Sequence, residues 1–128
     1  MDATKVPVAT KVILVVEDEP FFARMCVRTL ERPGREVRVA ADGKAALEEI
    51  ERSPPDILLL DLLLPRVDGF SIMEQLRTVE HNFPIVILSN LGREANDDIC
   101  ADLDVCAYCV KSETSLEELE KIVERHLA

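Results

Sequence analysis

Positively charged side chains are scarce in this sequence. Fifteen lysines and arginines stand against 25 aspartates and glutamates, so the 128-residue chain carries a formal net charge of −10. A surface that binds nucleic acid needs a basic face to offset the phosphate charges. We therefore expect that the protein makes no direct contact with nucleic acid.

Long apolar runs are absent too. No stretch approaches the ~20 residues of a membrane-spanning helix, and residues 1–11 are mixed and polar, without the apolar centre of a signal peptide. The chain also lacks internal repeats and low-complexity segments. These absences predict a cytoplasmic protein without membrane contact, in which a flexible tail over residues 1–10 precedes a single domain over residues 11–128.

The four cysteines do not complete a metal site in the sequence. Cys106 and Cys109 are spaced as Cys-x-x-Cys, a pattern found in redox pairs and in halves of zinc sites, but no second cysteine or histidine pair accompanies them. A redox pair usually begins a helix, whereas this pair falls in a predicted strand that would direct the two sulfur atoms to opposite faces. The favoured interpretation is four reduced thiols that act as small buried hydrophobes.

Short apolar runs mark the strands. An unbroken run of this length is typical of a strand that is covered on both faces, as in a parallel sheet between helices. Arg38 interrupts one run, which favours an edge position for that strand. The predicted strands cover residues 12–16, 37–40, 57–60, 84–88 and 105–110.

Residues with helical spacing separate the strands. Pro20 opens the first helix, Pro33 ends it, and Asp42 suits the N-cap of the second. For the last helix, either Thr114 or Ser115 could form a capping box with a glutamate three residues on. The five predicted helices begin near residues 20, 44, 70, 93 and 116. The predicted buried positions are Phe22, Met25, Cys26, Thr29 and Leu30 in the first helix, and Leu116, Leu119, Ile122, Val123 and Leu127 in the last.

Five strands that alternate with five helices predict an α/β fold, a doubly wound five-stranded parallel sheet with helices on both faces. Right-handed crossovers leave few topologies. The strand order 2-1-3-4-5 places the carboxyl ends of the first and third strands side by side. The winding direction reverses at this point and a crevice opens, which is where such sheets bind ligands.

Acids follow both of these strands. In the predicted order, Glu17, Asp18 and Asp61 converge in the crevice, and Ser89 and Lys111 lie on the same rim. Carboxylates this close repel one another and need a cation to stay ionised together. Oxygen ligands suit Mg²⁺, while a lysine and a hydroxyl suit phosphoryl oxygens. The group predicts a phosphoryl-transfer site in which Asp61 is the nucleophile and forms an acyl phosphate.

The chain resembles a response-regulator receiver domain over residues 11–127. The family's Asp-x-x-x-Pro-x-x-Asp-Gly signature is present as Asp61, Pro65, Asp68 and Gly69. The resemblance implies a signalling switch that takes a phosphoryl group from a histidine kinase or a phosphotransfer protein and then acts on a downstream protein effector. It also implies that the protein is not an enzyme, apart from catalysing its own phosphorylation and dephosphorylation.

The resemblance assigns a role to each site residue. Asp61 matches the phospho-acceptor and Lys111 the lysine that accompanies it. Glu17 and Asp18 match the acidic pair that binds Mg²⁺ together with Asp61, and the backbone carbonyl of Leu63 is implied as a further ligand. No residue with a chemical role is missing from the pattern.

Ser89 and Tyr108 match the hydroxyl and the aromatic residue of the family's switch. Three positions depart from the family pattern. Ser112 stands where the family usually has a proline after a cis bond, Asp104 where a glycine is common, and Asn90 where a smaller residue is usual.

Two alternatives remain beside the signalling switch. A phosphatase of the haloacid-dehalogenase type also uses an aspartyl phosphate and Mg²⁺, but it needs two acids spaced by one residue after the first strand. Asp18 is instead followed two residues later by Pro20. A receiver that only docks and accepts no phosphate is disfavoured because every chemical group is present.

The outer face of the first helix carries an unusual patch for an acidic protein. Phe21, Arg24, Arg28 and Arg32 follow one another at helical spacing, away from the core stripe. In receivers this helix docks the helical bundle that carries the phosphohistidine, so we expect Phe21 as an apolar anchor and the arginines as steering charges for an acidic partner. The alternative is a solvated face whose arginines pair with Glu31 or with acids elsewhere.

Overall fold

The computed structural model of the protein describes residues 10–62, 72, 74–76, 82–90 and 105–127. These residues include the strands β1 (Lys11–Val16), β2 (Arg35–Ala40), β3 (Ile57–Asp61), β4 (Ile85–Ser89) and β5 (Ala107–Val110). They also include the helices α1 (Pro20–Leu30), α2 (Gly43–Arg52) and α3 (Leu116–Leu127). Several predicted features lie outside the described residues: the tail over residues 1–9, the helix near residue 93, and Leu63, Pro65, Asp68, Gly69 and Asp104.

The five strands form one parallel sheet in the order β2-β1-β3-β4-β5. This confirms the predicted doubly wound fold, and it places β2 at the edge, as Arg38 indicated. β2 starts two residues earlier than predicted, and β5 starts two residues later, because its pairing with β4 begins where Val86 meets Ala107. The carboxyl ends of β1 and β3 lie side by side in this order, as expected of a sheet that binds ligands at the reversal point.

The strands build two hydrophobic clusters, one on each face of the sheet. Along β1, Leu14 and Val16 join the cluster beneath α2, whereas Ile13 and Val15 join the cluster beneath α1 and α3. We call these the α2-side cluster and the α1-side cluster. β3 and β4 are buried at every residue, which explains their unbroken apolar runs, since burying one such side chain contributes about 2 kcal/mol.

α1 buries a slightly different face from the predicted one. Cys26 and Leu30 are fully buried as expected, but Ala23 is buried as well, while Phe22 and Met25 are only half-buried. The buried stripe is therefore rotated by part of a turn toward Ala23. The rotation leaves Phe22 at the boundary between the core and the carboxyl edge of the sheet.

Side-chain caps fix the starts of α1 and α2. The carboxylate of Glu19 accepts hydrogen bonds from the backbone N–H groups of Phe21 and Phe22, at 3.1 and 2.5 Å. Asp42 accepts one from the backbone N–H of Ala45 at 2.9 Å, as the sequence predicted.

None of the described helices is both long enough and apolar enough to cross a membrane.

The capping box of α3 settles an alternative that the sequence left open. The hydroxyl of Ser115 accepts a hydrogen bond from the backbone N–H of Glu118 at 3.1 Å, and the carboxylate of Glu118 accepts one from the backbone N–H of Ser115 at 3.3 Å. The residue that forms the box is therefore Ser115 and not Thr114.

The described cysteines are free thiols, as predicted, but one expectation about them is wrong. Cys106 and Cys109 do not face opposite sides of the sheet, since both pack against the α1-side cluster. Cys106 precedes the first residue of β5 and does not follow the alternation of that strand. Burial raises the pKa of Cys26 to about 12 and also raises the pKa of Cys109, so both thiols stay protonated at neutral pH.

An ion cluster around the buried carboxylate of Glu120 joins α3 to the start of β2. Glu120 is 7% exposed, and its carboxylate lies 2.7 Å from Nη1 of Arg35 and 3.1 Å from Nη2 of Arg32. The predicted buried face of this helix did not include Glu120, because a glutamate in an acid-rich helix gives no local sign of burial. A buried carboxylate depends on its ion partners, since removing a charge from water is costly.

Glu120→Ala should lower the free energy of unfolding by roughly 3 kcal/mol, because it leaves the largely buried guanidinium of Arg35 without its carboxylate. Urea unfolding followed by circular dichroism measures the change. Glu124→Ala, at an exposed position of the same helix, should change the stability by less than about 0.5 kcal/mol. Equal losses in the two variants would contradict a stabilising role of this ion cluster.

Candidate functional site

The carboxyl ends of β1, β3 and β5 bring three charged side chains together. Every second residue of a strand faces the same side of the sheet. On the side of the α1-side cluster these residues are apolar along each of the three strands. The next position in the alternation is Glu17 for β1, Asp61 for β3 and Lys111 for β5. Parallel strands end at the same edge of a sheet. The three groups therefore meet, although 94 and 50 positions separate Lys111 from the two acids.

Lys111 is the centre of this group. Its Nζ donates hydrogen bonds to both carboxylate oxygens of Glu17, each at 2.9 Å, and to Oδ2 of Asp61 at 2.8 Å. Glu17 and Asp61 are almost fully buried, at 1% and 4% exposure. The three N–H groups of the ammonium each have an acceptor, and its charge offsets the repulsion between two buried acids.

The electrostatics of the site indicate an excess of negative charge. Burial and the adjoining carboxyl of Asp61 raise the pKa of Glu17 to about 7, although Lys111 acts in the opposite direction. Burial by itself would lower the pKa of Lys111, but its hydrogen bonds to Asp61 and Glu17 outweigh this effect and raise the pKa. Lys111 thus stays cationic at neutral pH, and one ammonium does not keep both buried acids fully ionised.

Asp18 extends the acidic cluster to the surface. Oxygen atoms of Glu17, Asp18 and Asp61 lie within 4.8 Å of one another, with Asp18 exposed and the other two buried. Mg²⁺ prefers carboxylate oxygens and keeps several water ligands on an open side. The donor set and the excess of negative charge both fit Mg²⁺. The expected carbonyl ligand, that of Leu63, lies outside the described residues.

Ser89 and Tyr108 lie on the neighbouring strands β4 and β5. Ser89 is the last residue of β4 and is 1% exposed, while Tyr108 is half-buried and packs against the α2-side cluster. Ile87 belongs to the α2-side cluster, pairs with Tyr108 and precedes Ser89 by two residues. By the alternation of strand side chains, Ser89 and Tyr108 therefore both start from the α2 side of the sheet. Lys111 starts from the opposite side.

The residues that depart from the family pattern do not displace the described site. No peptide bond among the described residues is cis, so Ser112 follows Lys111 through a trans bond, and Lys111 nevertheless reaches both acids. The backbone N–H of Lys111 donates to the carbonyl of Ser89 at 2.7 Å, which holds the ends of β4 and β5 together. Asn90 is exposed to solvent.

The outer face of α1 is only partly free of ion pairs. Phe21 is 65% exposed, and Arg24 and Arg28 are exposed on the same face. Neither of these arginines forms a salt bridge with any residue that the structure describes. Arg32 instead binds Glu120, so the alternative that the arginines pair with acids holds for Arg32.

One contact of the site was not predicted from the sequence. The ring of Phe22 lies over the ammonium of Lys111, with its centroid 4.7 Å from Nζ. Helical spacing places Phe22 in the core stripe of α1, and nothing near it in the sequence indicates a lysine from the other end of the chain.

The comparisons with known proteins agree on one family. The family model described as the response regulator receiver domain matches residues 13–124. The alkaline phosphatase synthesis transcriptional regulatory protein PhoP of Bacillus subtilis is 37% identical over 101 residues, which are 79% of this chain and 42% of that protein. The response regulator MprA of Mycobacterium leprae is 38% identical over 109 residues, 84% of this chain and 46% of that protein. The chain spans less than half the length of these relatives.

Solved structures show the same fold. The receiver domain of the Francisella response regulator 1452 is 29% identical, with a TM-score of 0.83 over 92% of this chain and 97% of that one. The response regulator TrrA of Thermotoga maritima, solved in complex with Mg²⁺ and BeF, is 27% identical, with a TM-score of 0.79 over 92% of this chain and 100% of that one. Because the family match covers most of the chain, including the acids at the carboxyl edge of the sheet, the chain belongs to the response regulator receiver domains.

Proposed function

We propose that this domain accepts a phosphoryl group on Asp61 from a histidine kinase or a phosphotransfer protein, in a Mg²⁺-dependent reaction. The observation that carries the proposal is the pair formed by Lys111 and Asp61, 2.8 Å from Nζ to Oδ2, beside the acidic oxygens of Glu17 and Asp18. A carboxylate that is held by a cation, next to a cluster of metal ligands, is what phosphoryl transfer to a carboxylate requires.

Asp61 is the nucleophile of this reaction. One of its carboxylate oxygens bonds to the phosphorus of a phosphohistidine while the P–N bond breaks, and the electron pair of that bond goes to the imidazole nitrogen, which then takes a proton from water. The product is an acyl phosphate. When water later attacks the phosphorus, phosphate leaves and the carboxylate is restored. The protein thus acts on itself, as a switch, and turns over no other substrate.

Lys111 and Ser89 stabilise the phosphorylated state. The ammonium of Lys111 already forms a hydrogen bond to a carboxylate oxygen of Asp61, and it can transfer that bond to a phosphoryl oxygen once the carboxylate is phosphorylated. The hydroxyl of Ser89, at the end of the adjacent strand β4, donates to a second phosphoryl oxygen. Charge-assisted bonds of this kind are short and strong in a water-poor site.

Glu17, Asp18 and Asp61 hold Mg²⁺ in this proposal, together with the carbonyl of Leu63 that the family resemblance implies. When bound, the ion offsets the negative charge of the transferring phosphoryl group. The three clustered carboxylates support the assignment, as does the solved complex of the similar protein TrrA with Mg²⁺ and BeF.

Ser89 and Tyr108 convert the modification into a surface change. A phosphoryl group on Asp61 adds charge and acceptor oxygens, and Ser89 moves toward it to donate a hydrogen bond. The space that Ser89 leaves on the α2 side allows the half-buried ring of Tyr108, on the neighbouring strand, to turn inward. The altered surface around β5 and α3 then binds a downstream protein effector.

Phe21, Arg24 and Arg28 form the docking surface for the phosphoryl donor. They are exposed at the end of α1 that borders the site and extend along the outer face of that helix. A basic face on a chain of net charge −10 attracts an acidic partner selectively. The same net charge supports an effector that is a protein and not nucleic acid. A cytoplasmic location belongs to this proposal as well.

Incubation with a small acyl-phosphate donor and Mg²⁺ should add one phosphoryl group to the protein, and Asp61→Asn should abolish the addition, because it removes the nucleophilic oxygen. Intact-protein mass spectrometry counts the groups. Asp42→Asn removes an acid but keeps an N-cap side chain, so this control variant should be labelled at the wild-type rate. Chelation of Mg²⁺ should stop the labelling of the wild-type protein and of Asp42→Asn. Persistent labelling of Asp61→Asn would contradict the assignment.

The ring of Tyr108 should change its surroundings when the site is filled by Mg²⁺ and beryllofluoride, a mimic of the phosphoryl group. Tyr108 is the only tyrosine of the chain, so incorporated fluorotyrosine gives a single ¹⁹F resonance to follow. Ser89→Ala should reduce the change while the mimic still binds. An unshifted resonance in the filled wild-type protein would exclude Tyr108 from the switch.

Charge reversal at Arg24 and Arg28 should slow phosphotransfer from the histidine kinase that labels the wild-type protein fastest, by roughly tenfold or more, since steering charges act on the association rate. Labelling by the small acyl-phosphate donor should be unaffected. Reversal at Lys44 and Lys121, which are exposed on α2 and α3, is the charge-matched control. If both double variants lose the kinase reaction equally, the outer face of α1 is not the docking surface.

A further inference from the structure

The ammonium of Lys111 is enclosed by two different kinds of group. Its three hydrogen bonds go to Oε1 and Oε2 of Glu17 and to Oδ2 of Asp61, at 2.8 to 2.9 Å. The ring of Phe22 covers a further side, 4.7 Å from Nζ to the ring centroid. Only 15% of the Lys111 side chain remains exposed.

The ring supplies an attraction that the acids do not. The face of an aromatic ring is electron-rich and attracts a cation within about 6 Å, more strongly where water is excluded. A lysine side chain is a flexible stem with a mobile charge at its end. When one of its carboxylate partners is phosphorylated, the ring remains as a partner that does not change during the reaction.

The two consecutive phenylalanines of α1 occupy different environments. Phe21 is 65% exposed on the outer face, whereas Phe22 is half-buried beside the α1-side cluster. The carboxylate of Glu19 binds the backbone N–H groups of both residues. This cap fixes the first turn of α1, and with it the place of the Phe22 ring at the edge of the site.

We propose that Phe22 is a positioning residue for phosphoryl transfer: its ring holds the ammonium of Lys111 over Asp61, where the incoming phosphoryl oxygens are bound. The proposal rests on the function proposed above. It also separates the two faces of α1, since Phe21 serves the docking of the donor and Phe22 serves the reaction itself, whichever donor is used.

The competing explanation is that Phe22 only fills space at the edge of the α1-side cluster. Phe22→Leu and Phe22→Met keep an apolar side chain without a ring, and Phe22→Tyr keeps the ring. With a small acyl-phosphate donor and Mg²⁺, the first two variants should label roughly three- to tenfold more slowly than the wild type, the range expected for a partly buried cation–π contact. Phe22→Tyr should keep the wild-type rate. So should Met25→Leu, the control, which is an apolar change at another half-buried position of α1.

A double-mutant cycle with Lys111→Ala tests whether the ring acts through the lysine. If it does, Phe22→Leu should cause no further loss of rate in the Lys111→Ala protein. The same fold-loss with and without Lys111 would overturn the proposal, and so would a Phe22→Tyr protein as slow as Phe22→Leu. Thermal melting identifies any variant that fails to fold. If either Phe22→Leu or Phe22→Met does not fold, the labelling rate of the other one tests the proposal.

A measurement without Mg²⁺ or donor adds an independent readout. The ring current of Phe22 should shift the NMR resonances of the Lys111 methylene next to Nζ, and Phe22→Leu should return them toward their ordinary position. If these resonances are the same in the wild type and in Phe22→Leu, the ring does not lie over the ammonium and the proposal is overturned. Failure of the proposed function is distinguishable, because it would appear as a wild-type protein that does not label at all, or as continued labelling of Asp61→Asn.

Discussion

Two acids that are buried at the ends of adjacent parallel strands cannot both stay ionised without a cation beside them. Lys111 meets this constraint by bonding to Glu17 and Asp61 at once, and it thereby links the end of β5 to the ends of β1 and β3. The raised pKa of Glu17, about 7, shows that burial and crowding are not fully offset by one ammonium. The same imbalance makes the edge of the sheet suitable for a divalent cation and, with it, for a phosphoryl group.

The sheet separates the parts of the site by the alternation of its side chains. Glu17, Asp61 and Lys111 have the register of the α1 side, whereas Ser89 and Tyr108 have that of the α2 side. Glu17, Asp61 and Lys111, which in the proposed function hold Mg²⁺ and the phosphoryl group, therefore start from one face of the sheet. The proposed switch residues Ser89 and Tyr108 start from the other face, and the two sets meet only at the edge where the strands end.

Much of this arrangement follows from short stretches of the sequence. An unbroken apolar run specifies a strand that is covered on both faces, and the acid or lysine that ends the run must lie at the sheet's edge. The strand order was predictable for this reason. The edge position of β2 was predictable because Arg38 interrupts its apolar run, and the N-cap role of Asp42 because aspartate is favoured at the start of a helix. So was the convergence of Glu17, Asp61 and Lys111, because right-handed crossovers leave few ways to order five such strands.

The tertiary structure decided the contacts that depend on a distant partner. Helical spacing shows that Phe22 lies near the core, but the ammonium above its ring comes from the far end of the chain. Glu120 is buried only because Arg35 and Arg32 reach it from another element. Cys106 departs from strand alternation because β5 begins one residue after it. Local pattern determines which side of its own element a residue faces, whereas its partner is determined by how the assembled elements pack.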